Sequence, residues 1–200
     1  MIKRSLQTYM NAYTASDHTT YLYSTQYEKD YFNLMSVYID AAFNPMLREL
    51  DFMQEAHHFA FANENRTKLE YRGIVYNEMK GAMADPATYF LVELNKLLFH
   101  NLTGNNRSPY GYNNGGDPKV IPELTYEEVR KYHARHYSPS KSFIYTYVNI
   151  DIQKQLKAID EQIPRSWPEQ NHEPYTVSEV TFANSHLVYG PVDAGMISPI

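Results

Sequence analysis

Between Thr25 and Glu28 the spacing of large side chains changes from every second residue to every third or fourth, and this change decides which folds are open to the chain. From residue 7 to 25, Tyr9, Asn11 and Tyr13 fall on one face of a first strand and Tyr21 and Tyr23 on one face of a second. Ala15 to His18 forms a polar turn between them, so the period of two predicts a β-hairpin. From Glu28 to Asn44, Phe32, Met35, Ile39 and Phe43 recur at helical spacing, and Leu34, Tyr38 and Ala42 widen the stripe. That segment reads as a helix buried over a broad face and stopped near Pro45.

The same alternation continues down the chain. Residues 56 to 71, with N-E-N-R at the centre, suggest a second hairpin, and Tyr71 to Ala84 reads as helical despite Gly73 and Gly81. Asp85 is positioned to cap a helix that has Pro86 at its first position and runs to Phe99 through Phe90, Leu94 and Leu98. Asn101 to Asp117 is dense in Gly, Asn and Pro with no apolar period, and loops of that length in compact domains are often functional. Thr125 and Glu128 form a capping box for a helix ending near Tyr137, and Asp151 caps another carrying Ile152, Leu156, Ile159 and Ile163. Ser142 to Asn149 alternates as a strand through Phe143, Tyr145 and Tyr147, with shorter strand candidates at Val177 to Phe182 and His186 to Tyr189. Irregularly interleaved strands and helices predict one α+β domain, a two-layer sandwich of a mixed, largely antiparallel sheet against helices.

Composition excludes more than it identifies. A net charge of -5, from 18 basic and 23 acidic residues without a long run of either sign, gives no nucleic-acid or anionic-membrane footprint. Cysteine is absent, which rules out disulfides and thiolate metal sites. No apolar stretch approaches the roughly 18 residues that span a bilayer, and Met1 to Met10 lacks the apolar core of a secretion signal. The 19 tyrosines suit amphipathic strand and groove surface.

Among the histidines, His57 and His58 are adjacent and point to opposite faces of a strand, so they cannot share one ion. His133 and His136 stand three apart on a helix, but no acidic residue lies between them as in H-E-x-x-H or H-x-x-E-H, and a structural role is expected. G-G-D-P, beginning at Gly115, lacks the Lys and Ser or Thr of a phosphate loop and reads as a turn. In Y-R-G-I-V-Y-N-E-M-K-G-A-M, from Tyr71, a single carboxylate, Glu78, sits on an otherwise apolar or neutral helical face. Taken alone, a lone helical glutamate usually faces solvent.

That block occurs with K-R-S-L-Q-T-Y-M-N-A-Y-T-A-S-D-H-T-T-Y, Y-F-N-L-M-S-V-Y-I-D-A-A-F-N-P, F-M-Q-E, G-G-D-P with I-P-E-L-T, Y-S-P-S and G-P-V-D, in this order. Together they span almost the entire chain and resemble the presequence proteases, in the insulinase and pitrilysin group of zinc metallopeptidases. The resemblance implies that Glu78 is a zinc ligand, with Asn77 and Lys80 beside it as supporting residues. It implies that Asn11, Ala12 and Tyr13 form a sheet edge to which an extended peptide adds by backbone pairing. In the family the other ligands and the catalytic base lie on an H-x-x-E-H helix; that motif does not occur in these 200 residues. The resemblance therefore makes residues 1–200 part of an N-terminal peptidase domain whose catalytic helix lies upstream. Its implied partners are unfolded peptides and the remaining domains of a longer chain, its cofactor zinc, and its compartment the bacterial cytoplasm or mitochondrial matrix. A non-catalytic relative that holds peptide is the alternative, distinguished by a degenerate H-x-x-E-H upstream. Two departures stand out: Tyr13 replaces the usual phenylalanine, and Gln54, Glu55 and Ala56 stand where the family tends to have Q-E-G, so the glycine is lost.

Overall fold

The computed structural model describes residues 5–99 and 108–163. Strands β1 (Gln7–Thr14) and β2 (Thr19–Thr25) pair antiparallel, with Thr14 opposite Thr19 and Ala12 opposite Tyr21. The polar Ala15 to His18 turn closes them through an N–H of Ala15 bonded to the His18 carbonyl at 2.8 Å. Tyr9, Asn11 and Tyr13 share a face as the period of two requires, since Asn11 Nδ2 donates to the Tyr9 hydroxyl at 3.2 Å and the two tyrosine hydroxyls are hydrogen-bonded.

Helix α1 (Glu28–Phe43) packs on β2, and the contact is aromatic. Tyr23 donates to the Tyr31 carbonyl at 3.0 Å, and its ring lies 5.9 Å from that of Tyr31 and 5.2 Å from that of Tyr38. Burial pushes the Tyr23 hydroxyl well above its ordinary pKa. The opposite flank of α1 receives α6 (Ile152–Asp160), where buried Gln155 accepts from the Tyr31 hydroxyl at 3.3 Å and donates to the Ile150 carbonyl at 2.7 Å. A buried amide with both ends bonded costs little and fixes how the two helices meet.

A second hairpin, β3 (His58–Phe61) with β4 (Leu69–Arg72), stacks Phe59 on Tyr71 at 4.4 Å between ring centres. Before it runs α2 (Glu49–Glu55), which the sequence reading leaves unassigned. Asp51 starts this helix by accepting from the Arg48 N–H at 3.2 Å while both guanidinium arms grip its carboxylate. After the hairpin come α3 (Ile74–Ala82), α4 (Pro86–Phe99) and α5 (Tyr126–His136). Asp85 caps α4 through the Thr88 N–H at 2.8 Å, and Thr125 and Glu128 form the expected capping box on α5.

Helices and antiparallel strands segregate as an α+β fold. Two local expectations are corrected. The helix expected from Tyr71 starts at Ile74, because Tyr71 and Arg72 belong to β4 and Gly73 turns the chain. Gly73 lies so close to α2 that an added Cβ would stand 2.2 Å from the Ala56 carbonyl oxygen. Ser142 to Asn149 is not a strand: no ladder partner reaches it among the described residues, and alternation without a partner does not make a sheet. Phe143 and Tyr147 are accordingly 90% and 91% exposed. The candidates Val177 to Phe182 and His186 to Tyr189 lie outside the described residues, as does the first part of the long loop.

Candidate functional site: a strand edge and the Glu78 helix joined by one loop

Glu78 lies in the second turn of α3 and is exposed, and among the described residues no group bonds its carboxylate. An unengaged carboxylate on a helix held at both ends suits a ligand that awaits partners. Gly73 anchors one end of α3 against Ala56, and at the other Met83 closes the helix through its N–H to the Met79 and Gly81 carbonyls.

In an antiparallel pair the backbone groups of alternate residues turn toward and away from the partner. Since Ala15 bonds across the hairpin to His18, the groups of Asn11 and Tyr13 face β2 and those of Met10, Ala12 and Thr14 face outward. The hydrogen bonds agree. The Ala12 N–H is met by Asn11 Oδ1 at 2.9 Å, and the Thr14 carbonyl by Asn114 Nδ2 at 3.0 Å. Among the described residues β1 pairs with β2 alone, so its outer edge carries no strand.

The loop from Ser108 to Leu124 connects this edge to α3. Tyr110 donates its hydroxyl to Asp17 in the hairpin turn at 2.7 Å and, with His18, holds that carboxyl below its ordinary range. Asn113 Nδ2 reaches the Met83 sulfur at 3.4 Å, and Gly115 lies against Met79, whose sulfur would stand 2.3 Å from an added Cβ. Lys96 on α4 holds Asp117 at 3.3 Å and Glu93 at 2.8 Å. Burial opposes the charge on Asp117, but the Lys119 N–H and Lys96 outweigh it and leave its pKa lowered. The only backbone strain in this loop is at Gly116, with φ near 99°, a conformation suited to glycine. G-G-D-P is thus a turn, as read from the sequence, and one whose glycines and neighbouring asparagines seat α3 and the hairpin. The density of Asn and Gly marked this loop; no sequence signal singled out Asn113 or Asn114.

Four of the described histidines are engaged by backbone carbonyls or rings. His57 bonds the Leu124 carbonyl at 2.9 Å, His58 the Met53 carbonyl at 2.8 Å and His133 the Ala42 carbonyl at 2.8 Å. His136 packs on Tyr132 at 4.4 Å between ring centres, and burial, with Arg135 and Lys141 nearby, lowers its pKa. Among the described residues no three histidines or carboxylates gather as a metal site. The donors present therefore fit one ligand of a zinc centre and not a complete set.

Comparison with known proteins settles the kinship. The mitochondrial presequence protease of Mus musculus is 46% identical over 164 residues, which cover 81% of this chain and 15% of that protein. Over most of its length the chain is homologous to presequence proteases. The mitochondrial presequence protease of Schizosaccharomyces pombe is 40% identical over 199 residues, covering 98% of this chain and 20% of its own. Protein HypA of Clostridium perfringens is 39% identical over 165 residues, 81% of this chain and 16% of its length. No family model matches. The chain spans between 15% and 20% of the length of these relatives. Among the described residues no helix is long and apolar enough to cross a membrane.

Proposed function

We propose that residues 1–200 are part of the N-terminal domain of a zinc metalloendopeptidase that degrades unfolded peptides. In this reading Glu78 supplies one zinc ligand, and Asn11, Ala12 and Tyr13 form the edge on which substrate docks. Kinship with presequence proteases supports the reaction class. The observation that carries the site is the outward-turned backbone of Ala12 on a strand with no second partner among the described residues, tied through one loop to the helix bearing Glu78. An extended peptide added there gains main-chain hydrogen bonds whatever its side chains, which suits substrates of many sequences. The rest of the same peptidase domain supplies the other ligands and the base. A bound zinc supplies Lewis acidity and lowers the pKa of its water toward neutrality. The relatives named mitochondrial favour the mitochondrial matrix as the compartment, and the bacterial relative keeps a bacterial cytoplasm open.

The test is on the full-length protein. Glu78→Ala is expected to lose zinc and peptidase activity together, and Glu78→Asp to keep some metal with poorer turnover, since a ligand oxygen must reach about 2.0 to 2.2 Å from the ion. Metal content measured by atomic emission decides it: an alanine variant with full zinc removes Glu78 from the centre.

A further inference from the structure

Asn114 has no role in the reading above, although it is the side chain that joins the docking edge to the loop beneath the ligand helix. Its amide holds the Thr14 carbonyl, the last outward group of β1 before the turn. Among the described residues the only other outward group with a partner is the Ala12 N–H, which is met by the side chain of its own neighbour, Asn11.

These two contacts differ in what it takes to displace them. Asn11 can swing away by rotating one side chain, which leaves every element in place. Asn114 sits in a segment fixed at Tyr110 to Asp17, at Asn113 to Met83, at Gly115 against Met79 and at Asp117 to Lys96. Its exposed amide can rotate as well, but the backbone that carries it stays beside Thr14 unless the hairpin and α3 part. A peptide arriving at the edge therefore exchanges its carbonyl for Asn11 at Ala12 and meets a fixed obstacle at Thr14.

We propose that Asn114 is a positioning residue that stops an added peptide strand at Ala12 and sets its register relative to α3. This rests on the reading of β1 as the docking edge. Pairing then runs from Ala12 toward Met10, away from the turn, and the peptide bond presented for cleavage is selected by backbone register. A substrate whose side chains carry little of the recognition needs such a stop, because a strand held by main-chain bonds alone can slip along the edge.

The experiment uses the full-length, zinc-loaded protein and one unstructured peptide of defined sequence. Zinc content, kcat, KM and the cleavage positions by mass spectrometry are measured for Asn114→Ala, Asn114→Asp and Ala12→Pro. Asn114→Asp keeps the shape but removes the donor. Both Asn114 variants are expected to retain zinc, to lose roughly 10- to 100-fold in kcat/KM, and to cut at additional positions in the peptide. A general loss of stability lowers the rate without moving the cleavage positions, so the added cuts are the decisive readout. Zinc-loaded Asn114 variants with the wild-type cleavage pattern would overturn the proposal, and so would loss of zinc from both. Ala12→Pro reports on the docking edge by itself: unchanged turnover there sinks the docking reading, whereas impaired turnover beside an unchanged Asn114 pattern sinks only the register stop.

Discussion

Proline is tolerated in an edge strand where its missing N–H has no ladder partner, and Ala12 is such a position. Its N–H turns away from β2 and is held by Asn11 alone, whereas the backbone of Tyr13 faces the ladder. In the full-length enzyme Ala12→Pro is therefore expected to fold, keep zinc and lose peptide turnover, while Ala12→Ser changes little. Tyr13→Pro should instead unfold the hairpin, seen as lost β signal in circular dichroism. The sequence identified Ala12 through a family pattern; which way its N–H points came only from the hairpin closure at Ala15 and His18. The Tyr110 to Asp17 contact carries a pH signature at the same scale. The folded pKa of Asp17 is depressed, first by the Tyr110 hydroxyl and then by His18. Its contribution is therefore present above the ordinary carboxylate range and lost as pH falls through the lowered value. Titrating the Asp17 carboxyl by carbon NMR should give a midpoint below that of a free aspartate, and Tyr110→Phe should move it up.

Local chemistry made most of the elements legible. Asp85, Thr125 and Asp151 each bond the N–H that a cap should, because capping is decided within four residues. The expectations that failed depended on distant partners. Ser142 to Asn149 alternates like a strand, but a strand also needs a ladder beside it, and the described chain offers none. Helix α2 went unread because its start depends on an Arg48 to Asp51 grip rather than on a Ser, Thr, Asp or Asn cap. Gly73 reads as a tolerated glycine inside a helix and is instead the point where β4, α2 and α3 meet, where an added Cβ would stand 2.2 Å from the Ala56 carbonyl oxygen. Gly73→Ala is expected to lower stability by roughly 1 to 3 kcal/mol, since backbone rather than a mobile side chain must move. In thermal unfolding of the full-length protein, a variant as stable as wild type would show that α3 is not seated there.

At the scale of the whole molecule, the apolar faces outnumber the surfaces available to cover them. Leu34, Met35 and Ile121 are the buried hydrophobics among the described residues, while Phe90, Leu91, Phe143, Tyr145 and Tyr147 are each more than half exposed. Large apolar side chains exposed in this number suit burial against further chain, and the relatives are five to seven times longer. The proposed metal site shows the same division. Glu78 is the carboxylate that α3 offers, His57, His58 and His133 are bonded to backbone carbonyls, His136 is packed on a ring, His18 is paired with Asp17, and among the described residues no three donors converge. Zinc sites gain about 10 to 16 kcal/mol from complete ligand sets, which a single glutamate cannot approach. The isolated 200-residue chain is therefore expected to bind zinc more weakly than about micromolar, to bind a dye for exposed apolar surface, and to cleave no peptide. Titration calorimetry with zinc, on the purified chain and on Glu78→Gln, separates the possibilities. A tight one-to-one site abolished in Glu78→Gln would mean that the donors gather without the rest of the protein; the same site unaffected by that change would point to His133 and His136 and to a metal centre unrelated to the ligand helix.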